Sequence, residues 1–183
     1  MVNRNPMTSV QWWRQVKTNA DALLDWLADQ YHGEITAHER IRQFADQYAP
    51  EGSPHRHVLG IIAEQELAHA NWVGELLTTR GLAPQKLVKP ERYWERTLRQ
   101  IDSLESGAAV AAHAEAMRLE RITVIANDSE APADIRAVFR RILPQEKFHA
   151  RAFAKMAGDT ALMSAARSHA DGMAAIGLIP AGF

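Results

Sequence analysis

Two stretches decide the fold: Ile62-Ala63-Glu64-Gln65-Glu66-Leu67-Ala68-His69-Ala70 and Ile142-Leu143-Pro144-Gln145-Glu146-Lys147-Phe148-His149-Ala150. Both read Ile-x-x-Gln-Glu-x-x-His-Ala, and they lie about 80 residues apart, far more than one solenoid repeat. Upstream of each runs a second shared stretch. His32-x-Glu34-x4-Glu39-Arg40-Ile41 recurs as His113-x-Glu115-x4-Glu120-Arg121-Ile122. Each half of the chain thus supplies one glutamate and then a Glu-x-x-His. A carboxylate-bridged pair of metals in a four-helix bundle takes this ligand set.

The spacing explains the choice of residues. A helix rises about 1.5 Å per residue with 3.6 residues per turn, so positions i and i+3 share a face. Glu66 with His69, and Glu146 with His149, can each reach one ion or an adjacent pair. Glu34 and Glu115 add one carboxylate each from the other two helices. All four glutamates lie roughly 15 to 17 residues from the turn of their own hairpin, which puts them at one level of an antiparallel bundle. Glu120 is nearer its turn, and both Glu39 and Glu120 lie off the apolar stripes that surround Glu34 and Glu115. The expected metal ligands are therefore Glu34, Glu66, His69, Glu115, Glu146 and His149. Four buried carboxylates alone would be strongly unfavourable. Two divalent cations balance their charge, and neutral imidazoles leave that balance untouched. Mixed oxygen and nitrogen donors suit iron first, with manganese and zinc also compatible. No catalytic residue beyond the ligands, and no organic cofactor, is read from the sequence.

Other residues take plainer readings. Glu39-Arg40 and Glu120-Arg121 are expected to form interhelix or surface ion pairs. His32 and His113, two residues before a ligand, point away from the site and are read as structural. His38 lies one turn after Glu34 and is a spare-ligand candidate, but its counterpart is Leu119. Tyr31 is read as core, and His55 and His57 lie too far from the ligand level. Pro144, inside the fourth long helix, removes a backbone hydrogen bond and is expected to bend it.

Helical periodicity dominates the chain. A short helix is expected over Ser9–Lys17. A long helix follows from the N-cap Asn19 to about Tyr48, and another from Pro54 to Thr79 or Arg80, with Gly81 as its stop. A long connection starts at residues 83–90 and carries a short helix within 91–104. A third long helix is expected to open at Gly107 and end near Asn127. The fourth spans about Ala133 to Met156, Gly158 breaks it, and a terminal helix covers 161–173 before a non-helical tail. The expected fold is all-α: a four-helix bundle with one long crossover and an internal pseudo-two-fold repeat. The division is an N-terminal arm at 1–18, the bundle at 19–157, and a C-terminal helix and tail at 158–183.

Composition narrows the function classes. The chain has 183 residues, net charge −1 and no cysteine. Disulfides, thiolate zinc sites and cysteine-ligated iron–sulfur clusters are therefore excluded from this chain. The charge gives no reason to expect nucleic acid or an anionic membrane as partner. No signal peptide or spanning helix is read, so the expected location is the cytoplasm.

On Glu34, Glu66-x-x-His69, Glu115 and Glu146-x-x-His149, the chain resembles the ferritin-like superfamily, especially its rubrerythrin-like and other di-iron carboxylate members. The resemblance covers roughly residues 19–156. It implies a ferritin-like four-helix bundle holding two metals, usually iron, that react with dioxygen or peroxide and draw on an electron donor that the sequence does not name. A homodimer fits this expectation. Two departures stand out. Rubrerythrins carry a further glutamate one turn after the third-helix ligand, where this chain has Arg118. They also usually carry a rubredoxin module with four cysteine ligands, and this chain has no cysteine. The expected function is a di-iron oxidoreductase; the alternative is a non-catalytic iron-binding or storage protein of the same superfamily.

Overall fold

The computed structural model describes residues 7–176, and the expected non-helical tail at 177–183 lies outside them. Among the described residues all regular structure is helical. The elements are α1 (Ser9–Lys17), α2 (Ala20–Tyr48), α3 (Pro54–Thr78), α4 (Arg92–Thr97) with a 3-10 turn at Leu98–Gln100, α5 (Leu104–Asn127) and α6 (Ala133–Ala175).

Side-chain caps set most of the helix starts. Asn19 Oδ1 accepts the Ala22 amide at 3.0 Å, and Ser53 Oγ accepts the Arg56 amide at 3.2 Å with Pro54 in the first turn. Both satisfy amides that the first turn leaves unpaired. The expectation that Gly107 opens the third long helix is corrected. Ser103 is the cap, accepting from the Ser106 amide at 3.1 Å, and the helix begins at Leu104. Gly107 has a different role. A Cβ there would sit 2.1 Å from Phe44 Cε2, so glycine lets α5 approach α2. In α6, Gly158 leaves helical geometry at φ 69°, ψ 163°, where a residue with a Cβ would be strained. The helix resumes beyond this kink. Pro144 keeps helical backbone angles, as Gly158 is the sole non-helical position inside α6.

Tight turns join α2 to α3 and α5 to α6, and each of these pairs packs along its length. The two pairs meet through α3 against α6 and, more loosely, α2 against α5. The connection from α3 to α5 runs along α2, held by ion pairs Lys86–Glu39, Lys89–Asp29 and Glu91–Arg40, and its helix α4 packs on α6. Glu39 and Arg40 thus form the expected ion pairs. Among the described residues Glu120 and Arg121 form no such pair: Glu120 accepts a hydrogen bond from Ser9 Oγ at 2.6 Å, and the Arg121 guanidinium lies 4.5 Å from the Trp12 ring centre. The second copy of the motif holds α1 in place.

The apolar interior comes in two blocks. One contains Leu27, Val73, Ile122, Phe139 and Ile142, and the other Ile41, Ile62, Ala112 and Phe153. All four long helices contribute to both. Along each helix, the residues between the two blocks are the glutamates and histidines of the repeated motifs. A polar layer is therefore clamped between two greasy ones, and burial there strips water from every charged group it contains.

Candidate metal centre

All six expected ligands lie in that layer. Glu34, Glu66, His69, Glu146 and His149 are fully buried, and Glu115 is 5% exposed. Their donor atoms form two groups, each within 4.8 Å: Glu34, Glu66, His69 and Glu146 in one, and Glu66, Glu115, Glu146 and His149 in the other. Glu66 and Glu146 belong to both groups.

Glu34 is bonded by Gln30 and Arg118, but many of the other donor atoms lack the partners that buried polar atoms normally have. Both oxygens of Glu66, Oε2 of Glu115 and of Glu146, and Nδ1 of His69 and of His149 make no hydrogen bond. His149 Nδ1 lies 3.1 Å from Glu66 Oε1, and His69 Nδ1 lies 3.4 Å from Glu146 Oε1 and 3.7 Å from Glu34 Oε2. Two ligands of one ion at about 2.1 Å sit roughly 3.0–3.4 Å apart in octahedral or tetrahedral geometry. The 3.1 Å and 3.4 Å separations fall in that range and the 3.7 Å one just beyond it, and with the orphaned atoms beside them they fit a pair of cations.

The other imidazole nitrogens are fixed across the bundle. His69 Nε2 donates to Gln145 Oε1, and His149 Nε2 donates to Gln65 Oε1, both at 2.8 Å. Each glutamine immediately precedes the glutamate of one motif and holds the histidine of the other. A metal-binding imidazole is commonly supported in this way, with its outer nitrogen anchored and its inner one left free for an ion. The sequence carried a signal for it, because Gln precedes Glu in both copies, but the spacing alone did not show that the bonds cross.

Arg118 is the residue that the ligand pattern missed. Its Nη2 lies 2.7 Å from Glu34 Oε2 and 3.2 Å from Glu146 Oε1, and its Nη1 lies 3.6 Å from Glu66 Oε2. It is one turn beyond Glu115 on α5, so it shares the ligand's face. Arg118 sets much of the local electrostatics. Burial pushes Glu34 upward, but Arg118 and His69 outweigh it and hold that carboxyl well below the usual range. Against the same burial, Arg118 and His69 bring Glu146 down to about 2. At Glu115 the pull of Arg118 is outweighed: burial and the neighbouring Glu146 push it well above its ordinary value. Glu66 is raised by burial and by Glu146 and Glu34, against the pull of Arg118 and His149. Burial would lower His69, yet contacts with Glu146, Glu34 and Glu66 raise it to about 12.

The remaining candidates resolve as structural. His38 Nδ1 donates to the Ala63 carbonyl at 2.8 Å, His113 Nε2 donates to the Leu162 carbonyl at 3.0 Å, and His32 Nδ1 accepts the Leu87 amide at 3.2 Å. Tyr31 packs beside Gly74 and Pro84, and His55 and His57 are exposed.

A family profile described as Rubrerythrin matches residues 25–157. The chain belongs to the rubrerythrin family. The match spans the ligand-bearing parts of all four long helices, and the family lies within the ferritin-like superfamily. Rubrerythrin-type domains bind a di-iron centre, and the buried glutamates and histidines of this rubrerythrin-family chain could hold metal ions. Searches of curated proteins and of solved structures returned no match. No helix among the described residues is long and apolar enough to cross a membrane.

Proposed function

We propose that the chain is a dinuclear-metal oxidoreductase, with iron as the native metal, acting on dioxygen or peroxide. The observation that carries this reading is the sharing of Glu66 and Glu146 between the two donor groups. One carboxylate from each motif would help hold both ions, with Glu34 and His69 completing the set for one and Glu115 and His149 for the other. A bound pair of irons would supply the redox chemistry. The protein's part is geometric: it excludes water between two apolar blocks, aims both Nδ1 atoms inward through Gln65 and Gln145, and keeps four carboxylates at one level.

The test is elemental analysis of anaerobically purified protein, followed by optical spectra after adding air or peroxide. About two metals per chain and a spectral change on oxidant are expected. Glu66→Ala removes a shared ligand and should lower the content to one ion or none. Unchanged metal content in that variant would defeat the ligand assignment. Two metals with no response to either oxidant would favour an iron-binding role, and a large oligomer loading many irons per chain would point to storage.

Arg118 favours a second reading. A guanidinium already sits among the carboxylates, so the layer has an internal cation of its own. A scaffold that never takes up metal would need such a group. Purified protein that holds no metal, binds none on titration and keeps full stability in chelator would establish that reading instead.

A further inference from the structure

Where α2 and α5 stand apart, a cavity of about 580 Å³ opens beside the ligand layer, roofed by the connection between Lys89 and Ile101. Its walls include Ile41, Phe44, Tyr93, Trp94, Val110 and Phe153. Glu115 and Arg118 belong to its lining, so the cavity reaches the proposed centre directly. Thr36 also lines it; the residue is 7% exposed and its buried Oγ1 has no hydrogen-bond partner. The Arg118 side chain retains 22% of its surface, while Glu34, Glu66 and Glu146 retain none.

Charge and shape together select a ligand. In the structure, Arg118 is neutralised by Glu34 and Glu146. If two divalent ions take the four carboxylates, with both imidazoles neutral, the layer balances without Arg118 and the guanidinium becomes a surplus cation. An unpaired charge in such a place is costly. A guanidinium offers a planar fork that a carboxylate matches with two hydrogen bonds. The rest of the lining mixes aromatic and aliphatic groups with polar and charged ones, among them Arg40 paired to Glu91 and Lys89 paired to Asp29, and such a mixture suits an organic ligand with a polar end.

We propose that this cavity binds an organic acid with an apolar body, its carboxylate paired to Arg118 and its body lying against Phe44, Trp94 and Phe153. The inference rests on the dinuclear reading and gives it a substrate class. It carries a linkage: metal frees Arg118 for the acid, and the acid in turn tightens metal binding by the same factor.

The experiment uses the full chain loaded with zinc(II), which is redox-inert, and octanoate as the probe, with binding followed by titration calorimetry. Octanoate should bind the loaded protein at least about tenfold tighter than the metal-free protein, and about tenfold tighter than either octanol or acetate. Arg118→Met, prepared with zinc and checked for helicity, should hold two ions and lose about tenfold in octanoate affinity, with Arg118→Lys in between. Ala111→Phe, which fills the cavity from α5, should keep two ions and also lose octanoate. Equal binding to loaded and metal-free protein, equal binding of octanol, or unchanged octanoate affinity in Arg118→Met would overturn the proposal. Acetate binding as well as octanoate would refute the apolar part. Two bound zinc ions with no octanoate binding would sink this inference and leave the dinuclear reading standing; no bound zinc would sink both.

Discussion

Replacing Arg118 by methionine should make the metal-free protein fragile and leave the metal-loaded protein sound. Methionine keeps much of the side chain's bulk and removes its charge. The charge sits 2.7 Å from one fully buried carboxylate and 3.2 Å from another. Breaking a buried ion pair from one side costs about 3–5 kcal/mol, because the remaining charge is stranded. The partial exposure of Arg118 argues for the lower end, about 3 kcal/mol. That is a large share of a typical domain stability of about 5–15 kcal/mol. The pH dependence has a definite sign. Glu34 and Glu146 ionise in the folded chain below their ordinary value of 4.5, Glu146 at about 2. Their stabilisation is therefore present above pH 4.5 and fades as pH falls toward the folded values. The variant should trail the parent fully at pH 7, and the gap should narrow as acid removes the parent's advantage. Zinc at 100 times the parent's dissociation constant adds about 2.7 kcal/mol per site to the parent, and more to the variant, whose carboxylates have no competing cation and so bind zinc more tightly. Urea denaturation followed by circular dichroism, in chelator and in zinc, measures each quantity. A metal-free variant within about 1 kcal/mol of the parent at pH 7 would refute the electrostatic role given to Arg118.

Two further perturbations probe separate parts of the chain. Gln145→Leu leaves His69 Nε2 without its acceptor and should weaken zinc binding about 10- to 100-fold, as read by competition with a chelating dye, with helix content unchanged. His169 is held down to about 4 by burial and by His113, stacked at 4.7 Å, and its Nδ1 accepts from the Tyr93 hydroxyl at 2.8 Å. The unfolded chain, with His169 near 6.5, takes up that proton first, so stability should fall as pH drops from about 6.5 toward 4. His169→Asn should flatten the thermal melting profile between pH 7 and pH 5 by about 1 kcal/mol, after allowance for solvent screening.

The convergence of the six candidate ligands was legible because helical geometry is periodic. Glu-x-x-His fixes two donors on one face wherever a helix forms, and the level of Glu34 and Glu115 followed from distance to the turns. The helix starts at Asn19 and Ser53 were legible through side-chain caps. The start of α5 was not, since Gly107 reads as the opening of the helix although it serves a close approach to Phe44 from another helix. Arg118 was visible only as a departure from the family pattern. Sequence places it on the ligand face, but whether an arginine reaches inward or outward depends on what the facing helices offer it. The exchange of partners between Gln65, Gln145 and the two histidines is likewise a property of packing between hairpins. The different fates of Glu39-Arg40 and Glu120-Arg121 show the limit of repeat arguments, because each copy meets a different neighbour: the α3–α5 connection in one case, and α1 in the other.

The crossed glutamine–histidine bonds mean that neither hairpin owns a finished site. Each anchors the imidazole it does not itself contribute, in the reciprocal manner of two identical subunits meeting about a dyad. A polypeptide cut between α3 and α5 would yield halves that are each coordinatively crippled, and competence would return only on reunion. Fusion of such halves into one strand keeps the stoichiometry of that embrace at one to one. It also releases each copy to diverge, as Arg118 has from its counterpart Ala37 one turn after Glu34.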